Sequence, residues 1–291
     1  MQLIFDHEAT RYRHPHHPES PERLVQTEAH LRKNRPDWKW KRPPSAGDDS
    51  ILRVHSKEHL LRLTRPIDFD ADTPYHDNIL EHARRAAGAA TEAVDFALGG
   101  EKAFGLMRPP GHHATRDSAM GFCYLNSIAI AAFHAFQQGV ARVAIWDFDA
   151  HHGNGTEAIV RGNRGIIFAS VHQYPGYPGS GTTSFDNILN YPVPPYAEAG
   201  FHSGEVARAF ESLLAFKPEI ILVSAGFDAY SGDPITQMSL EAEHFAEFGK
   251  WLGESGIAAG AILEGGYSDE LPYLVESFLA GWAGEQGGGG Q

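Results

Sequence analysis

Cysteine is almost missing from this chain: Cys123 is the only one among 291 residues. An internal disulfide is therefore excluded, and a reducing compartment, the cytoplasm, is the expected setting. Long apolar runs are absent too, so no segment reads as a bilayer-spanning helix. The opening residues, Met1 to His7, lack a basic stretch followed by an apolar run, so no signal peptide is read there. Basic residues are in short supply: 24 Lys and Arg face 37 Asp and Glu, a formal net charge of −13. That balance argues against nucleic acid as a partner, because binding it without sequence preference requires a basic footprint. It suits a cationic substrate, which would be steered inward at low salt. Internal repeats and blocks of like charge are also lacking. One low-complexity piece, within 285–291, reads as a flexible glycine-rich tail.

What is present reads as an ordinary globular domain, with 42% hydrophobic and 21% charged residues. Short apolar runs at 103–107, 143–146, 166–171, 220–223 and 259–263 lack polar alternation, as buried parallel strands do. Amphipathic helical patterns at 78–98, 127–138, 201–216 and 241–253 lie between them. This alternation predicts an α/β fold: one three-layer domain over 1–284, with a mostly parallel sheet and helices on both faces.

The chemistry concentrates in Asp147-Phe148-Asp149-Ala150-His151-His152-Gly153-Asn154-Gly155. Asp149 and His151 sit two apart, so on extended backbone they point to one side and can hold one ion. Carboxylate oxygen and imidazole nitrogen suit a divalent metal of borderline softness. Asp228 follows another apolar run and completes a three-ligand set with an open position. Alone it reads as a turn or capping aspartate; beside the pair it reads as a ligand. His112 and His113 follow Pro109-Pro110-Gly111, and two imidazoles beside a metal can divide base and acid duties. Each needs an orienting partner, for which Asp147 and Asn154 stand nearby in sequence. Tyr267, after Gly265-Gly266, can donate from its phenol to a developing oxyanion. His112, Asp149, Asp228 and Tyr267 all follow strand signals, and ligands of open α/β sheets gather at strand carboxyl ends.

These ordered motifs, together with His17-Pro18-Glu19, Gly121-Phe122-Cys123-Tyr124 and Gly232-Asp233-Pro234, resemble the zinc-dependent histone deacetylase family of the arginase–deacetylase fold. Arg108 to His113, Asn154 and Glu264 to Tyr267 are closest to its class II branch and the bacterial amidohydrolases related to it. The resemblance implies that Asp149, His151 and Asp228 bind zinc, with iron(II) as the alternative metal. It implies that His112 with Asp147, and His113 with Asn154, form the acid–base pair, and that Tyr267 holds the oxyanion. A structural potassium ion is implied on Asp147, the Ser170 hydroxyl and backbone carbonyls of Asp149, His151 and Val171. Phe122 and Tyr177 would wall an acyl-lysine tunnel, Asp72 would hold the substrate backbone at its rim, and Arg23 would stand where acetate leaves. Ile235 occupies the place of a rim glutamate found in polyamine-specific members, and only a short link precedes Asp72. The expected reaction is therefore deacetylation of N-acetyl-lysine in a peptide or protein. Hydrolysis of acetylpolyamines or other small amides is the second reading. A catalytically silent acyl-lysine binder is the third. No membrane partner is expected, and a homo-oligomer is compatible with the sequence.

Overall fold

The computed structural model describes residues 1–285, so the expected tail lies, apart from Glu285, outside the described residues. Eight strands form one sheet: β1 (Gln2–Ile4), β2 (Lys39–Lys41), β3 (Ala103–Gly105), β4 (Val143–Asp147), β5 (Ile166–Gln173), β6 (Ile188–Val193), β7 (Ile220–Ala225) and β8 (Ala258–Leu263). Their spatial order is β2-β1-β3-β8-β7-β4-β5-β6. Every neighbouring pair is parallel, so the sheet is wholly rather than mostly parallel.

The helices are α1 (Glu22–Asn34), the short α2 (Asp48–Ile51) and α3 (Lys57–Leu63), α4 (Ile79–Leu98), α5 (Ser127–Gln137), α6 (Asn154–Val160), α7 (Ala199–Ala215), α8 (Ala242–Glu254) and α9 (Leu271–Ala283). They cover both faces. Ala144 and Trp146 of β4 pack into a core with α1, α7, α8 and α9. Val143 and Ile145 point the other way, into a core with α4 and α5. A strand buried on both sides needs apolar residues at every position, which is why these runs show no polar alternation.

Several elements have no counterpart in the sequence reading. β1 and β2 are three residues each, too short to show a period. β6 contains Pro192, which reads against a strand; at the sheet edge its missing N–H leaves no ladder bond broken. α1 carries charge along most of its length, and α9 has Pro272 in its first turn, where a proline is tolerated. Helix ends also shift: Asn78 lies outside α4 in a left-handed conformation, and α7 begins at Ala199 rather than 201.

The topology prepares the site. β3, β8, β7 and β4 are consecutive in the sheet, although β8 follows β3 by more than half the chain. Their carboxyl ends bring together the segments bearing His112, Tyr267, Asp228 and Asp149. Among the described residues no helix is long and apolar enough to cross a membrane.

Candidate active site

After Asp147 the chain leaves β4 and folds back on itself. Asp149 accepts from His151 N at 2.9 Å through Oδ1 and from Gly265 N at 2.7 Å through Oδ2. Asp228 accepts from Ala150 N at 2.8 Å through Oδ1. These backbone bonds aim the remaining edges of both carboxylates at one ring: His151 Nδ1 lies 2.8 Å from Asp228 Oδ2 and 3.2 Å from Asp149 Oδ1. One ligand atom from each residue lies within 4.8 Å of the others. Two glycines make the cradle possible. A Cβ on Gly226 would stand 2.1 Å from Asp149 Oδ2, and one on Gly265 would stand 2.3 Å from Asp228 Oδ2. Both aspartates are fully buried. Burial opposes charge on His151, but the two carboxylates outweigh it and push the imidazole up to about 10. Two carboxylates around one imidazole leave surplus negative charge, and this oxygen and nitrogen donor set fits zinc.

The two histidines are held from β8. Glu264 Oε2 accepts from Gly111 N at 2.6 Å and from His112 N at 3.2 Å, while Oε1 accepts from the Ser224 hydroxyl. His112 Nδ1 donates to Asp147 Oδ2 at 3.0 Å, and His113 Nδ1 donates to Asn154 Oδ1 at 2.7 Å. Asn154 opens α6, which approaches so closely that a Cβ on Gly155 would sit 2.3 Å from Ala114 O. The two rings lie 4.0 Å apart, centroid to centroid, yet their environments separate them. Burial works against a charge on His112, but Asp149 and Asp147 overcome it and raise its pKa well above the usual value. Burial, reinforced by the neighbouring His112 and His151, drives His113 well below it. The result is a cationic imidazole beside a neutral one whose Nε2 is free to accept a proton.

A cavity of about 320 Å³ opens onto this centre. The buried His113, with His151 and Tyr267, lines its inner end, and the exposed Asp72 its outer end. Phe122, Tyr177, Ile235 and His17 also line it. His17 Nε2 fixes the Asp72 carbonyl at 3.0 Å and its ring packs against Phe122. Gly121 has φ +55, and a Cβ there would lie 2.5 Å from the His113 ring. Arg23 is not part of the cavity wall. It sits behind Tyr267, 4.8 Å over its ring, donating to the carbonyls of Gly266 and Glu264. Ser170 pairs with Asp147 across β5 and β4, its hydroxyl 2.9 Å from His172 Nδ1, and Val171 follows it in the buried strand.

The chain matches the histone deacetylase domain over residues 17–281. It belongs to the histone deacetylase family. A probable deacetylase of Methanothermobacter thermautotrophicus is 37% identical over 84% of this chain and 79% of its own length. An uncharacterized Synechocystis protein is 42% identical, with 96% of this chain and 97% of that protein covered. Among solved structures, the HDA15 HD domain superposes with a TM-score of 0.89 at 28% identity, covering 98% of this chain and 91% of its own. An acetylpolyamine aminohydrolase from Burkholderia pseudomallei gives 0.87 at 26% identity, covering 99% and 100%. As a histone deacetylase family member, the chain is an amide-cleaving hydrolase of a zinc-dependent family.

Sequence reasoning gave no role to four residues that shape this deacetylase site. Glu264 clamps the histidine loop, Asp233 anchors Tyr267 N, and Glu19 pairs with the buried Arg108. His17 fixes the rim loop. The signal for Glu264 was a charged residue ending a wholly apolar strand, directly before two glycines.

Proposed function

We propose that the protein hydrolyses the acetyl amide of N-acetyl-lysine in a peptide or protein, releasing acetate and a free amine. The observation that carries this reading is the cavity, with its aromatic sides and its buried end at the Asp149–His151–Asp228 triad. Bound at that triad, zinc would supply Lewis acidity that polarises an amide carbonyl and acidifies a water. Phe122 and Tyr177 embrace the apolar lysine stem, and Asp72 holds the substrate backbone outside. Neutral His113 takes the proton of the attacking water at Nε2. The Tyr267 phenol donates to the oxyanion of the tetrahedral intermediate. An imidazolium then returns a proton to the leaving amine nitrogen as the C–N bond breaks. Arg23 stands beyond Tyr267 on the side where acetate departs.

Residues 1–284 act as one catalytic unit in this reading. Asp147, Ser170 and the Val171 carbonyl would hold potassium, and the triad would hold zinc rather than iron(II). Ile235 favours peptides over polyamines, since an apolar side chain at the mouth offers nothing to a second ammonium. The test compares rates on an acetyl-lysine peptide, a longer-acyl analogue and acetylspermidine, with Tyr267→Phe as control. The peptide should be preferred, and Tyr267→Phe should lose roughly 10²-fold in kcat. A strong preference for acetylspermidine would overturn the substrate; full activity in the variant would remove the role of the phenol.

A further inference from the structure

Asp233 belongs to none of the groups that would touch substrate, yet its side chain joins two of them. It lies in the turn after Tyr230 and is 7% exposed. Its Oδ1 accepts from Ile235 N at 3.0 Å, and its Oδ2 accepts from Tyr267 N at 2.8 Å. Both partners line the cavity. Tyr267 needs such an anchor. It follows two glycines, and Gly266 has φ +115, a conformation with little stiffness of its own. Arg23 Nε donates to Gly266 O, the carbonyl of the same peptide unit as Tyr267 N, at 2.6 Å, and Phe227 N donates to Gly265 O at 3.1 Å. The ring packs against Phe122 at 5.8 Å and beneath the Arg23 guanidinium. Asp233 supplies the hydrogen bond to the N–H of that peptide, opposite the Arg23 bond to its carbonyl.

We infer that Asp233 is the positioning residue for Tyr267, fixing the backbone from which the phenol reaches the oxyanion while holding Ile235 at the mouth with its other oxygen. The inference rests on the proposed role of Tyr267. A carboxylate is the suitable group because it accepts two backbone N–H groups at once. An asparagine keeps one acceptor and turns an amide donor toward the other N–H. Geometry matters here because an oxyanion donor acts only if it is already in place when charge develops.

The experiment is a double-mutant cycle on the zinc-loaded enzyme with an acetyl-lysine peptide. Asp233→Asn and Asp233→Ser, which each retain an acceptor, are measured with Tyr267 present and in the Tyr267→Phe background. With the tyrosine present, either variant should lower kcat by roughly 10-fold, part of the effect of removing the donor, and change KM by less than about 2-fold. In the Tyr267→Phe background the same substitutions should change kcat by less than about 2-fold. Equal losses in both backgrounds would overturn the inference while leaving the role of Tyr267 standing. Full activity in Tyr267→Phe alone would overturn both. A readout free of turnover uses fluorotyrosine-labelled protein, with the Tyr267 resonance assigned by its loss in Tyr267→Phe. That line should shift or broaden in Asp233→Asn; an unchanged line counts against the inference.

Discussion

Two buried charged clusters lie side by side in this fold, and they are balanced in opposite ways. Around Glu19 one carboxylate meets two guanidiniums, Arg108 and Arg23. The arginines direct their remaining donors to the carbonyls of Ala9, Tyr12, Glu264 and Gly266. Around His151 two carboxylates meet one imidazole. The clusters are linked, since Arg23 grips the carbonyls on either side of Gly265, whose N–H donates to Asp149. A buried network whose surplus guanidinium donors end on backbone carbonyls is framework. A neighbouring one with surplus negative charge, built at the cost of placing two carboxylates together, asks for a cation from outside.

Three substitutions or conditions separate these roles. Asp228→Asn should cut turnover by about 10³-fold or more, since on the proposed reading it removes a zinc ligand worth several kcal/mol to the transition state. In the metal-free protein it should lower unfolding stability by no more than about 1 kcal/mol, because burial and Asp149 both disfavour the Asp228 charge there. A denaturant titration with chelator decides it; a loss near that of a buried salt bridge would erase the contrast. Arg108→Met should do the reverse. It leaves the buried Glu19, whose carboxyl Arg108 and Arg23 hold low against burial, with Arg23 at 3.3 Å as its remaining guanidinium, and should cost about 3 kcal/mol of stability. Retained stability would mean that this cluster is not framework. The smallest effect concerns pH. In the metal-free protein His151 is pushed up to about 10, so below that pH it carries a proton that zinc must displace. Apparent zinc affinity should therefore rise about tenfold per pH unit between pH 6 and 9, with one proton released per ion, as read by chelator competition and proton uptake in weak buffer. A flat profile would show that His151 is already neutral.

The sequence was most legible where one physical demand dominated. Strands buried on both faces read as unbroken apolar runs, and β4, β5, β7 and β8 were visible for that reason. Asp149 and His151 were paired on the premise of an extended backbone; the chain bends there instead, and the two meet because His151 N donates to Asp149 Oδ1. Asp72, Phe122, Tyr177 and Ile235 were expected to meet around one tunnel only through a family resemblance, and the fold brings them to one cavity. Glu264 and Asp233 stayed illegible because their partners, Gly111 N and Tyr267 N, are backbone groups 153 and 34 residues away. A backbone amide leaves no mark in sequence. β1, β2 and β6 were hidden for other reasons: β1 and β2 are three residues each, too short to show a period, and β6 carries Pro192.

The interleaved strand order also has a consequence for synthesis. β8 lies between β3 and β7, yet it is the last strand of the described chain. Without Ala258–Leu263 the strand order leaves two ribbons, β2-β1-β3 and β7-β4-β5-β6, with no ladder between them. The histidine loop sits on one ribbon and the triad on the other. Catalytic competence should therefore wait for β8, the keystone that joins the two ribbons.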